Sequence, residues 1–177
     1  LVIGDIGDNR GVRKNINLLK FEEPLYYGKK TVDVTADMMS IVYEEGARDA
    51  ETLLADNKHE KLVIISKRDP LAKIYEFSFD PTFTSIKQVG TIPLFILTGG
   101  DVNQKGDVLL KNYRNVFLLK NENGLPVAEL LKKGKVRQVN YDPEDQGEAI
   151  CWSLDGNKYY VVSEQKDGKK QPFTVYY

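Results

Sequence analysis

The chain of 177 residues is long enough for one domain with a substantial core, because 41% of its residues are hydrophobic. Its 25 basic and 26 acidic residues give a formal net charge of -1, which argues against a protein that attracts nucleic acid through its overall field. The single cysteine, Cys151, excludes an internal disulfide and a cysteine-rich metal site. We therefore expect one domain, residues 1–177, that does not bind nucleic acid.

The beginning of the sequence predicts a trimmed chain. It lacks an initiator Met and starts directly in an apolar run, residues 1–4, so we expect the N-terminal portion of the domain to be missing. No run approaches the roughly 18 consecutive apolar residues of a membrane-spanning helix, so no transmembrane segment is expected. A signal or lipoprotein segment removed by processing would leave the same beginning.

Short β-rich runs separated by Gly, Pro, Asn and Asp recur along the chain and predict an all-β fold. Residues 37–39 are the only segment for which a helical fragment is expected. The predicted strands and extended segments, in chain order, are residues 1–5, 15–21, 31–34, 40–43, 51–55, 62–66, 74–77, 84–91, 97–101, 108–111, 116–119, 135–141, 148–152, 159–162 and 172–177.

Three hairpins repeat one arrangement of charges. In each hairpin an acidic residue and a charged residue are equidistant from the turn, which predicts that they face each other across the two strands. The second members of the three pairs are 44 and then 53 residues apart, close to the period of about 40 to 50 residues of propeller blades. The pairs are Glu51 with Lys67, Asp101 with Lys111, and Glu148 with Glu164.

This repeat predicts a β-propeller of four-stranded antiparallel blades. With the strands of a blade named A to D from the centre outwards, the chain is expected to hold strands B, C and D of one blade, two whole blades, and strands A, B and C of another. The complete propeller would have about five or six blades. Glu51, Asp101 and Glu148 are then expected on one rim of the central channel, with Asp5, Lys67, Lys111 and Glu164 beside them.

The rim residues admit two interpretations. Glu51 with Lys67 and Asp101 with Lys111 can be cross-strand ion pairs that stabilise the sheet by up to about 1 kcal/mol. Alternatively, Glu51, Asp101 and Glu148 are metal ligands, since calcium takes oxygen ligands. Two facing glutamates favour a cation between them, because like charges repel.

The loop after the first strand is the densest polar motif. Asp5, Asp8, Asn9 and Arg10 are ligand-binding candidates, although the spacing is not that of an EF-hand, and Asp or Asn beside Gly also suits a tight turn. Arg48 and Asp49, which directly precede Glu51, are candidates of the same kind.

Several motifs together resemble a group of uncharacterised bacterial β-propeller proteins, mostly secreted or lipoprotein-like. The motifs span residues 3–9, 46–51, 64–67, 98–101 and 146–150. The resemblance implies a propeller located in the periplasm, at the cell surface or outside the cell. The group is in turn distantly similar to esterase-like phytase and lactonase propellers, in which channel carboxylates hold calcium; this likeness concerns the fold and assigns no reaction.

Two residues that often carry catalysis have structural explanations here. His59 is the only histidine and lies at a predicted hairpin tip, which argues against a catalytic triad or a histidine zinc site. Cys151 alternates with Ala149 along a strand, so we expect it to pack in the core.

These observations predict a binding or scaffold module of the cell envelope that engages a ligand or protein partner at its charged channel face. The alternative is a calcium-dependent hydrolase of the phosphoesterase or lactonase type, in which the metal polarises the substrate. Calcium is the only cofactor that the sequence suggests.

Overall fold

The computed structural model describes residues 1–25, 28, 31–165, 168 and 171–177. Strands dominate, and the described part of the chain has one short helix. In chain order the elements are β1 (Val2–Asp5), β2 (Ile16–Lys20), β3 (Asp37–Tyr43), β4 (Ala50–Asp56), β5 (Lys61–Ser66), β6 (Ala72–Phe77), β7 (Phe83–Ile86), β8 (Gln88–Ile92), β9 (Gly99–Val102), β10 (Val108–Lys111), β11 (Val116–Leu119), α1 (Val127–Lys133), β12 (Arg137–Val139), β13 (Gly147–Trp152), β14 (Tyr159–Ser163) and β15 (Thr174–Tyr176).

The strands form four small sheets, with the strand orders β1-β2-β3-β7, β4-β5-β6-β8, β9-β10-β11-β12 and β13-β14-β15. Neighbouring strands are antiparallel except β3 and β7, which are parallel. Sheets one, two and three have four strands each, and sheet four has three. The predicted all-β propeller and its division into four blades are therefore confirmed, but sheet one has four strands where three were expected.

Sheets two and three each bury both faces against their neighbours. Successive side chains of a strand point to opposite faces, so β5 sends Leu62 and Ile64 into the core between sheets one and two, and Val63 and Ile65 into the core between sheets two and three. This explains why β5 is apolar on both faces. A third core, around Leu109, joins sheets three and four.

Among the innermost strands, β9 lies against both β4 and β13. Gly99 permits the close approach of β9 to β13, because an added Cβ would lie 2.6 Å from the carbonyl oxygen of Glu148. Gly100 is equally tight, with its Cβ position 2.7 Å from the carbonyl oxygen of Leu109. The pair of glycines therefore serves the packing of strands around the centre.

The structure differs from the sequence predictions at several places. Residues 31–34, which were predicted to be extended, belong to no strand. Residues 37–39 are not helical but belong to β3, where Met39 is fully buried. The predicted strand 84–91 is two strands in different sheets, β7 and β8, which separate at Lys87. The helix α1 was not predicted; it packs Val127, Ala128, Leu130 and Leu131 against the core between sheets two and three.

Candidate functional site

The acidic ends of β4 and β13 are irregular in the same way. Ala50 and Thr52 flank an extra residue opposite β5, and Gly147 and Ala149 flank one opposite β14. The extra residues of these two bulges are Glu51 and Glu148. Bulges re-aim a side chain away from the regular alternation of a strand. Two blades thus present a glutamate at the same position of a hairpin.

A chain of hydrogen bonds links the two glutamates across three blades. Lys67, at the end of β5, donates from Nζ to Oε2 of Glu51 at 2.6 Å and to the hydroxyl of Tyr113 at 3.1 Å. Tyr113, in the loop between β10 and β11, donates to Oε1 of Glu148 at 3.0 Å. One ammonium and one phenol therefore lie between two carboxylates that belong to different blades.

Partial burial controls the protonation of this cluster. Burial raises the pKa of Glu51, the hydrogen bond from Lys67 opposes this, and the nearby charge of Glu148 raises it further. Burial alone would lower the pKa of Lys67, but its bonds to Glu51 and Tyr113 outweigh burial and leave it raised. The lysine side chain is only 4% exposed, against 25% for Glu51. Lys67 therefore remains a cation near neutral pH.

Lys111 is at the centre of a second polar cluster. Its Nζ donates to the carbonyl oxygen of Gly147 at 2.6 Å, to the hydroxyl of Tyr141 at 2.7 Å and to the carbonyl oxygen of Asn112 at 3.1 Å. The same nitrogen lies 4.3 Å from the centre of the Tyr141 ring. The residue is fully buried, and burial lowers the pKa of Lys111 to about 8, against the opposing charges of Glu144 and Glu148.

The predicted facing of Asp101 and Lys111 is wrong, because Asp101 pairs with Leu109 and Lys111 with Gly99. Asp101 aligns with Glu51 and Glu148 along the chain, but β9 has no bulge. Its carboxylate instead accepts the backbone N–H of Trp152 at 2.7 Å and that of Val102 at 2.8 Å. Asp101 therefore fastens β9 to β13.

Glu164 holds the position in its hairpin that Lys67 holds in the hairpin of β4 and β5. The N–H of Glu164 donates to the carbonyl oxygen of Gln146, as the N–H of Lys67 donates to that of Asp49. The side chain of Glu164 is exposed. The predicted facing of Glu148 and Glu164 is wrong, because Glu164 lies opposite Gln146. The fourth blade thus carries an acid where the second carries a lysine.

The loop after β1 is held by its own hydrogen bonds. Arg13 binds the carboxylate of Asp5 with two nitrogens, at 2.6 and 2.8 Å, and this lowers the pKa of Asp5. The carboxylate of Asp8 accepts the N–H groups of Arg13 at 2.8 Å and Val12 at 3.1 Å. Arg10 is exposed. Asp5 and Asp8 therefore close the turn, as expected of Asp beside Gly.

Asp49 connects this loop to the second blade. Its carboxylate accepts the N–H of Asp8 at 2.8 Å and Nε of Arg68 at 2.7 Å. Arg68 also donates to the side chain of Asn9. Arg48 donates to the carbonyl oxygen of Glu45 at 3.3 Å. Asp49 and Arg68 thus bring the predicted candidates Asp8, Asn9 and Asp49 together. Arg68 itself was not selected from the sequence.

His59 and Cys151 differ from expectation in burial. His59 is part-buried, and its Nδ1 lies 2.9 Å from Oδ1 of Asp56, whose other oxygen accepts the N–H of Val127 at 2.8 Å. Cys151 is exposed, so its predicted place in the core is wrong; the buried residue of that segment is Ile150. Within the described residues, no group of three or more His, Cys, Asp or Glu side chains is arranged to hold a metal ion.

Tyr113, Tyr141 and Glu144 were not selected from the sequence. Tyr113 and Tyr141 lie in loops outside the repeated hairpins, and each reaches a lysine of a repeat position, Lys67 or Lys111. A tyrosine that follows a strand-ending lysine, as Tyr113 follows Lys111 after one residue, was the available signal.

In the described part of the chain no helix has the length and apolar character to cross a membrane.

No family model matches the sequence, and no curated protein matches it. Solved structures match the fold. A chain of the nidogen/laminin complex is 11% identical, with a TM-score of 0.52, and the match covers 97% of this chain and 60% of that one. Likeness at this identity extends to the fold alone, and it agrees with the propeller described above.

Two further structures match less closely. A candidate 6-phosphogluconolactonase from Bacteroides uniformis is 11% identical, with a TM-score of 0.49, and the match covers 98% of this chain and 52% of that one. A luciferin-regenerating enzyme is 15% identical, with a TM-score of 0.48, and coverages of 98% and 59%. This chain thus spans between about half and three fifths of the structures it matches.

Proposed function

We propose that the protein is a binding module whose channel face recognises a cationic or N–H-donating group of a ligand or protein partner. The observation that carries this proposal is the linked cluster of Glu51, Lys67, Tyr113 and Glu148. Each carboxylate uses one oxygen in that chain of hydrogen bonds, so each has a second oxygen to offer a ligand.

The charge of the cluster supports this choice of ligand. Two carboxylates and one ammonium leave an excess of one negative charge, in a place where partial burial weakens screening by water. A protonated amine or a guanidinium is complementary to such a site, and a guanidinium can bind a carboxylate with two parallel hydrogen bonds. The matched nidogen/laminin chain belongs to a complex between proteins, which makes peptides the first ligands to test.

The test uses labelled peptides of one sequence that carry Lys, Arg or Gln at a single central position, with binding measured by fluorescence polarisation. The Lys or Arg peptide is expected to bind at least about tenfold more tightly than the Gln peptide, since a charged hydrogen bond contributes about 1.5–3 kcal/mol. Glu148→Gln and Glu51→Gln should remove this preference. Glu122→Gln, which alters an exposed carboxylate remote from the rim, should not. Equal binding of all three peptides would refute the proposal.

A calcium-dependent hydrolase is the second candidate. Glu148 is close enough to Glu51 to raise the pKa of Glu51, and a cation shared by the two would relieve that repulsion. The ammonium of Lys67 already places a positive charge beside Glu51, which favours the binding module. Calcium titration by calorimetry tests the metal site on which this candidate depends: heat that disappears in Glu148→Gln supports a calcium site, and the absence of heat removes the hydrolase.

The proposed location is the bacterial cell envelope or its exterior. It rests on the resemblance of the sequence motifs to secreted and lipoprotein-like propellers. Fractionation of cells that express the full-length gene, with the protein found in the cytoplasmic fraction alone, would contradict it.

A further inference from the structure

A cleft lies apart from the channel cluster, which is the cluster of Glu51, Lys67, Tyr113 and Glu148. It lies between the loop that joins β1 to β2 and the segment that joins β3 to β4. Its volume is about 240 Å³. Three basic residues line it, Arg13, Lys14 and Arg48, and Asp8 is the one acidic residue among its lining. Tyr43 also lines it. The cleft is therefore basic although the whole chain is slightly acidic.

Buried polar atoms at this cleft lack protein partners. Tyr43 is 5% exposed, and no group in the described part of the chain forms a hydrogen bond with its hydroxyl. The same holds for Nε of Arg48, which is buried. The ring of Tyr75 lies 4.7 Å from that of Tyr43, and its hydroxyl, also buried and without a well-formed hydrogen bond, is next to Arg48. Burying such a group without a partner is unfavourable.

These atoms share one chemical property, which is that all can donate a hydrogen bond. Burial raises the pKa of Tyr43 well above its usual range, so its hydroxyl keeps the proton. The carboxylates in the vicinity are already engaged, and that of Asp69 lies 4.0 Å from Nη1 of Arg48. The carboxylate of Asp8 binds the N–H groups of Val12 and Arg13. The carboxylate of Asp49 binds the N–H of Asp8 and Nε of Arg68.

We propose that this cleft binds a small oxyanion, the carboxylate or phosphate of a low-molecular-weight ligand, through Tyr43 and Arg48, with Lys14 at its entrance. An oxyanion supplies several acceptor lone pairs at once, and guanidinium groups match the geometry of carboxylate and phosphate. Arg13 is already engaged by Asp5 through two hydrogen bonds and adds positive charge. The site is distinct from the channel cluster, so it does not depend on the function proposed above.

The test titrates the full chain with phosphate, sulfate and acetate at constant ionic strength, with chloride as the reference, and follows binding by calorimetry and by thermal unfolding. At least one oxyanion is expected to bind and to raise the midpoint of unfolding above that in chloride. Preference for phosphate or for acetate identifies the class of ligand. Tyr43→Phe and Arg48→Gln should each weaken the binding at least about tenfold.

Two matched variants control for general effects. Tyr160→Phe and Arg137→Gln make the same chemical changes on other sheets and should leave oxyanion binding unchanged. Tyr43→Phe removes a buried unpaired hydroxyl, so without oxyanion its midpoint of unfolding should be equal to or above that of the wild type, which shows that the variant folds. If no oxyanion exceeds chloride, or if Tyr43→Phe and Arg48→Gln bind as well as the wild type, the proposal is overturned and water alone satisfies these groups.

Discussion

Lys111 occupies space that only a glycine at position 147 leaves open. A Cβ added to Gly147 would lie 2.8 Å from Nζ of Lys111 and 2.6 Å from the hydroxyl oxygen of Tyr141. The glycine belongs to β13 and the lysine to β10, so this close contact joins the third and fourth blades. The carbonyl oxygen of the same glycine accepts the hydrogen bond of the lysine at 2.6 Å.

Gly147→Ala is expected to destabilise the protein by about 1–3 kcal/mol, because the added methyl group must displace a buried ammonium or a buried hydroxyl. Urea denaturation followed by tryptophan fluorescence measures the loss. Gly7→Ala is the matched control, since a Cβ at Gly7 meets nothing within 4 Å. Equal stability of the two variants would show that the contact between Lys111 and Gly147 is not tight.

Two lysine–glutamate pairs of equal length should differ in their contribution to stability. Lys67 and Lys133 each place Nζ 2.6 Å from a glutamate oxygen, but the lysine side chains are 4% and 71% exposed. Lys67→Met leaves Glu51 part-buried without its cation, which is expected to cost about 1–3 kcal/mol. Lys133→Met should change the free energy of unfolding by less than about 0.5 kcal/mol. Urea midpoints of both variants test this; similar losses would mean that burial does not set the strength of the pair.

The stability of the wild type relative to Lys111→Met should increase with pH between about pH 8 and 10.5. The folded-state pKa of Lys111 is about 8 and its ordinary value is 10.5. In this window the folded protein has released a proton that the unfolded chain retains, and stability rises with pH wherever the unfolded chain binds more protons. The relative gain amounts to as much as about 3 kcal/mol. Denaturation at pH 7 and pH 10 measures it, and a constant difference would contradict the lowered pKa.

Cys151 should be alkylated completely in the native protein, but more slowly than a free thiol. The residue is exposed, whereas partial burial of the thiol and the carboxylate of Asp101 raise its pKa. A raised pKa leaves less of the reactive thiolate at pH 7. The rate with iodoacetamide, compared with that of glutathione under the same conditions, tests this expectation. Asp101→Asn should increase the rate, and Asp155→Asn should not; a thiol that reacts only after unfolding would show that it is buried.

The blades could be predicted from the sequence because their strands carry local signals. Alternating apolar residues and turn residues marked β4, β5, β10 and β11 closely, and the spacing of Lys67 and Lys111 gave the period. The helix α1 was missed because its seven residues offer less than two turns of periodic pattern. Its apolar residues gain their burial from the two sheets beside it, which is a tertiary effect.

The candidate site was less predictable, because side-chain direction depends on bulges. Equal distances from a turn suggested that Glu51, Asp101 and Glu148 were equivalent. The strands β4 and β13 each hold one extra residue at this point, and β9 does not. A difference of one residue turns a side chain to the other face of a sheet, so Asp101 joins two strands and the two glutamates reach Lys67 and Tyr113.

The parallel pairing of β7 with β3 connects the first two blades structurally. The segment that carries β7 leaves the second blade after β6 and returns to it as β8, having added a strand to the outer edge of the first. An edge covered in this way offers no free row of N–H and C=O groups to another chain at β3. Because β7 lies between β6 and β8 in the chain, detachment of β3 together with β7 would also disturb β6 and β8. We therefore expect amide hydrogen exchange to show one cooperative unit in the first two blades, and a lower opening energy in the fourth.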